Sequence, residues 1–200
     1  MILVRRFGFL LALLGVPALA QTDLPPDALV RKITDEVLAA VKVDKDLQAG
    51  DVKKALALAE QKVLPYVDFG ESTRLAVGRP WAKATPAQRE QLTREFRTML
   101  VRIYSNSVDG YRGQTMRVMP VRMEPGATEV SVRNQYLRPG RPPVPVEYAM
   151  RRTAEGWKIY DIVVENVSLV LTYRAEFQRI IDDSGIDGLI RRLAEKNRAA

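Results

Sequence analysis

Val144-Pro145-Val146-Glu147-Tyr148-Ala149-Met150, then the turn Glu155-Gly156, then Trp157-Lys158-Ile159-Tyr160-Asp161-Ile162-Val163 place an apolar residue at nearly every second position. Successive strand side chains point to opposite faces, so a period of two marks strands with one greasy face. The pattern starts at Thr115, and the turn signals Pro125-Gly126, Pro139-Gly140 and Glu155-Gly156 cut it into four strands. Connections this short give an antiparallel meander. Its apolar sets are Met116 and Val118, Val130 and Val132, Val144, Val146, Tyr148 and Met150, and Trp157, Ile159 and Val163.

On both sides of this segment the period is about 3.6. Leu29, Val30, Ile33, Val37, Leu38 and Val41 make one amphipathic stripe after Pro25-Pro26, and Gly50-Asp51 breaks and recaps the chain. A second helix carries Val52, Ala55, Leu56, Ala59 and Val63, and stops at Leu64-Pro65 because the residue before proline is pushed out of helical geometry. A short segment with Leu75 and Ala76 ends at Gly78-Arg79-Pro80-Trp81. Thr85-Pro86-Ala87-Gln88 then reads as a capping box opening the longest helix, whose stripe is Leu92, Phe96, Met99, Leu100, Ile103, Tyr104 and Val108. After Asn166 the helical period returns in Val167, Val170, Leu171, Phe177, Ile180 and Ile181. Gly185 ends that helix, and Leu189, Ile190 and Leu193 mark a last one. Helices over 21–110, a sheet over 115–165 and helices over 167–197 give an α+β class. The expected architecture is a twisted antiparallel four-stranded sheet, with the long helix across its apolar face, forming a cone wrapped by N- and C-terminal helices.

Met1 to Ala20 reads as a secretory signal peptide, with Arg5-Arg6 before the apolar run Phe7 to Val16 and a small-residue cleavage site at Ala18-Leu19-Ala20. That run is about half the roughly 20 residues a bilayer core requires. Cleavage after Ala20 leaves 21–200 as a single domain and removes two of 31 basic residues and none of 24 acidic ones, so the net charge falls from +7 to +5. Basic and acidic residues are interleaved as on solvated helix faces, without the stripe of a nucleic-acid binder; a mild attraction to anionic headgroups is the alternative use of the charge. The chain has no cysteine and no histidine. That excludes disulfides, Ser-His-Asp and Cys-His nucleophiles and nearly all zinc sites. Among carboxylates, Asp68, Asp161 and Glu165 are the most embedded in apolar sequence. One could be a buried proton acceptor, or Asp68 caps the segment after it while Asp161 or Glu165 pairs with Arg174 or Lys158. The loop Arg138-Pro139-Gly140-Arg141-Pro142-Pro143 is a stiff connection with arginines directed outward, able to hold an anionic headgroup or dock on a partner.

Two stretches resemble the MlaC family, also called the toluene-tolerance auxiliary family. The first runs from Val63-Leu64-Pro65-Tyr66-Val67-Asp68-Phe69 through Leu75 to Gly78, Trp81 and Ala84 to Arg89, on to Phe96 and Tyr104. The second is Trp157 to Leu169, then Tyr173-Arg174, Phe177 and Gly185-Ile186-Asp187-Gly188-Leu189. Asn166 stands where the family usually has glycine, and asparagine is the next-best residue at positive φ. The resemblance implies a fold related to the nuclear-transport-factor-like cone and a periplasmic, monomeric phospholipid carrier that is not an enzyme. It also implies no cofactor beyond phospholipid as cargo, no nucleic acid, and as partners an outer-membrane lipoprotein complex (MlaA-like) and the periplasmic ring of an inner-membrane ABC transporter (MlaD-like). On that reading the lipid-facing residues are Phe69, Leu75, Trp81, Phe96, Met99, Leu100, Tyr104, Val118, Val132, Val146, Tyr148, Met150, Ile159, Val163, Val167 and Leu171, with adaptable methionines suited to mobile chains. A cone-fold enzyme on a small apolar substrate and a lipid-free adaptor of an envelope complex are the other two readings.

Overall fold

A computed structural model describes residues 24–105, 111 and 113–199. The expected signal peptide, its cleavage site and Val108 lie outside the described residues. Five helices come first: α1 (Pro26–Val43), α2 (Lys45–Ala49), α3 (Val52–Lys62), α4 (Phe69–Val77) and α5 (Pro86–Ser105). Strands β1 (Thr115–Val118), β2 (Glu129–Leu137), β3 (Val144–Thr153), β4 (Gly156–Val164) and β5 (Val167–Ser168) follow, and α6 (Arg174–Ala199) ends the chain.

The helix starts are written in short polar side chains. Asp44 accepts from the backbone N–H groups of Asp46 and Leu47, Asp51 from that of Lys54, and Asp68 from that of Glu71. Thr85 and Gln88 exchange reciprocal bonds of 3.2 and 2.9 Å, the capping box expected at the start of α5. Within α6 the chain bends at Gly185, whose φ of 71° and ψ of −177° are open essentially to glycine alone. One turn on, a methyl group at Gly188 would sit 2.0 Å from Ser184 Oγ and 2.5 Å from its Cβ, so this turn too needs glycine.

The sheet is an antiparallel meander in the order β1-β2-β3-β4-β5, five strands where four are expected. The additional strand arises because Glu165 and Asn166 both take positive φ, 49° and 67°, which closes a two-residue hairpin turn and folds Val167-Ser168 back onto Val163-Val164. Val167 is thus a strand residue and not the start of a helix.

A second departure lies inside β4. Ile159 opposes Met150, but Asp161 opposes Ala149, leaving Tyr160 as a bulge without a cross-strand partner. Beyond the bulge the alternation is inverted: Ile162 opposes Tyr148 on the inner face, while Val163 opposes Glu147 on the outer one. The Tyr160 carbonyl freed by the bulge accepts a 2.6 Å bond from Ser72 Oγ, which ties α4 to the sheet. The outer face is polar, with Ser131 donating to Glu147 at 2.8 Å and Arg151 reaching Asp68 at 2.7 Å and Glu71 at 3.1 Å.

Two cores result. In one, Phe96 of α5 is fully buried among Ala76, Val77, Leu92, Met99, Phe177, Leu189 and Leu193, meeting Tyr173 and Phe177 edge-on at 5.3 and 5.2 Å. In the other, Leu29, Val30 and Ile33 of α1 lie on Val118, Val132, Met150, Trp157 and Ile159. The helix packed on the sheet's apolar face is therefore α1, whereas α5 packs mainly with α6 and α4. Space remains between the C-terminal half of α5, at Leu100, Val101 and Tyr104, and the sheet.

Candidate functional site

That space is a cavity of about 520 Å³. α1 contributes Val30, Ile33, Thr34, Val37 and Leu38, α3 contributes Ala55 and Ala59, and Val63 follows directly after it. Leu64, Val67, Phe69 and Ser72 continue the wall to Leu100, Val101 and Tyr104 of α5. Across from them stand Met116, Tyr136, Tyr148, Ile159 to Ile162, Leu169 and Val170, with Gln114 just before β1 and Thr115 at its start. The bulge is what allows four consecutive residues, Ile159 to Ile162, to border the same space.

α3 explains why the space is not filled. It is amphipathic yet has no buried residue, because its apolar stripe, shortened by Ala55 and Ala59, faces the cavity instead of a packed partner. The volume lies in the range of about 300–1,000 Å³ typical of sites that enclose a small ligand.

The polar groups at the walls are mostly committed. Asp161 is only 7 % exposed and accepts from its neighbour Ile162 N–H at 2.8 Å, from Val170 N–H at 3.2 Å and from Ser168 Oγ. It fastens β5 and the following segment to the bulge. The ion pair expected for it is absent: Arg174 donates to the Leu75 carbonyl at 3.0 and 2.6 Å, and Lys158 pairs with Glu155 at 3.0 Å. Asp68 caps α4 and takes Arg151. Glu165 belongs to the β4–β5 turn.

Burial pushes the Tyr148 hydroxyl up to about 12, and burial followed by the neighbouring Tyr173 does the same for Tyr104. The folded protein therefore holds these protons through a range in which the unfolded chain, titrating near pH 10, has lost them. Proton binding then favours the native state less and less, so stability falls as pH rises from 10 to about 12. Urea midpoints measured across that window should drop, and Tyr148→Phe should make the drop shallower.

Five of the residues expected to face lipid line the cavity: Phe69, Leu100, Tyr104, Tyr148 and Ile159. Phe96 and Met99 belong to the helical core, with Leu75 and Trp81 packed against it. Val118, Val132 and Met150 lie under α1. Val146 is buried, Val163 is on the outer face, and Val167 and Leu171 are 53 % and 42 % exposed. The α1 and α3 walls are absent from the sequence-based set. A visible signal existed in α3, where alanines occupy the stripe positions at which a packed helix carries leucine.

Residues 31–195 match the family described as MlaC protein. The chain belongs to the MlaC family. Its relatives within the family include the toluene tolerance protein ttg2D of Pseudomonas putida, 25 % identical over all of this chain and 96 % of that protein. The intermembrane phospholipid transport system binding protein MlaC of Haemophilus influenzae is 20 % identical over 94 % of this chain and 89 % of that one. Among solved structures, the phospholipid-binding protein from Ralstonia solanacearum in complex with a phospholipid is 35 % identical, with a TM-score of 0.78 over 88 % of this chain and 98 % of its own.

Proposed function

We propose that this MlaC-family chain is a phospholipid carrier of the periplasm, exported by its N-terminal signal, which holds the acyl tails in the cavity between α1, α3, α5 and the sheet. The observation that carries the reading is the cavity itself, walled by hydrocarbon and left open by α3. A similar chain has been solved in complex with a phospholipid, which supports the same reading.

The energetics agree. For the cargo, burying about fifteen methylenes of one tail at roughly 0.8 kcal/mol each offsets about 12 kcal/mol of exposure to water. A cavity walled by hydrocarbon therefore lets lipid cross an aqueous gap that free lipid crosses very slowly.

The carrier acts as a monomer, takes no cofactor and leaves its cargo chemically unchanged. It exchanges lipid with an outer-membrane lipoprotein complex and with the ring of an inner-membrane ABC transporter. A transfer assay tests this: protein loaded with labelled phospholipid should deliver it to vesicles containing the transporter complex and retain it with protein-free vesicles. Equal loss to both kinds of vesicle would refute docked exchange.

A further inference from the structure

Arg138 follows β2 directly and shares the alternating face of Asn134 and Tyr136. Its guanidinium is not directed outward, as the sequence suggests, but lies over the Tyr136 ring, 5.9 Å from the centroid. Tyr136 lines the cavity. The Nε of Arg138 is buried and has no hydrogen-bond partner, and among the described residues no carboxylate pairs with this side chain. A buried donor without an acceptor is costly and calls for a partner, and for guanidinium the best partner is an anion that uses its planar fork.

The position suits such a partner. Thr115 pairs with Leu137, so Gln114 and Arg138 each lie one residue beyond that pair, and Gln114 and Thr115 also border the cavity. The other end of the sheet's inner face is closed by the packed residues of α1. The loop is stiff: Arg141 N–H bonds back to the Arg138 carbonyl at 3.2 Å, Gly140 takes φ 68°, and a side chain at Gly113 would meet Pro139 at 3.4 Å. Arg138 does not itself line the cavity but is stacked on Tyr136, which does, so a headgroup emerging at this end of the sheet would meet its guanidinium.

We propose that Arg138, held on the Tyr136 ring, binds the phosphodiester of the cargo and makes the cavity select phosphate-bearing two-chain lipids over neutral ones, whatever alcohol the phosphate carries. This rests on the carrier reading above. Lipid-stripped protein is loaded from mixed micelles with phosphatidylglycerol or with diacylglycerol of identical chains, and bound lipid is read by native mass spectrometry. The unsubstituted protein should favour phosphatidylglycerol by at least about tenfold, the scale of a charge-assisted hydrogen bond. Arg138→Gln should bring the ratio close to one while diacylglycerol uptake stays as before. An unchanged ratio in Arg138→Gln overturns the phosphate site and leaves the carrier reading standing, whereas an unsubstituted protein that takes up neither lipid removes both. Inorganic phosphate is the control: it should not displace phosphatidylglycerol, and Arg138-dependent displacement by it would assign the site to a free anion instead.

Discussion

Ala59→Trp should fold normally and retain on the order of a hundredfold less phospholipid than the unsubstituted chain. Ala59 is a cavity wall residue on α3, an amphipathic helix with no buried residue. An indole there takes the place of about four methylenes of a tail, and at roughly 0.8 kcal/mol each the loss is about 3 kcal/mol, close to a hundredfold in affinity. The stability readout separates a cavity from a packed core. Adding bulk to a filled core costs about 1–3 kcal/mol, but here the side chain enters space and gains contacts, so the melting temperature should hold or rise. Lipid retention after loading and thermal denaturation by circular dichroism check the two halves. Undiminished retention would show that the tails lie elsewhere.

Phe96→Ala should do the reverse. Phe96 is fully buried and meets two aromatic rings edge-on, in the core formed by α4, α5 and α6. Truncating such a residue costs about 3–5 kcal/mol, and at about 2–4 °C per kcal/mol the melting temperature should fall by roughly 10 °C. Below that transition the protein should still bind phospholipid, because the deleted ring does not border the cavity. Near-complete loss of lipid at full stability would place the tails among the helices instead.

This contrast marks the limit of what the residue pattern discloses. Phe96 and Leu100 sit one turn apart on a single stripe of α5, and the period of 3.6 cannot tell the one that meets Phe177 from the one that meets open space. The distinction depends on which helix reaches the sheet. α1 does so through Leu29, Val30 and Ile33, and α5 is held away. Where local chemistry decides the backbone, the sequence was legible: Thr85 and Gln88 close the capping box, Asp68 caps α4, Gly185 bends α6, and Asn166 takes the positive φ that glycine would otherwise supply.

The sheet shows the same division. Alternation located its long strands and the apolar face of β3, with Tyr148 and Met150 inward. It could not locate the bulge at Tyr160, because Tyr160-Asp161-Ile162 fits an unbroken strand equally well and the extra residue is fixed by tertiary bonds from Ser72 and to Asp161. One unpaired residue moves Val163 out and Ile162 in, which changes the composition of the cavity wall. Asp161 is likewise read best from its surroundings. Embedded among apolar neighbours, it resembles a proton acceptor, but its oxygens hold the chain segment that follows β4.

Purification of the unsubstituted protein from the periplasm, followed by native mass spectrometry under conditions that preserve apolar contacts, weighs the carrier reading in one spectrum. The protein should emerge with the added mass of a two-chain phospholipid, and that mass should be lost from Ala59→Trp prepared in parallel. A spectrum of protein without lipid, or a lipid adduct equally abundant in Ala59→Trp, would contradict a cavity that exists to hide hydrocarbon from water.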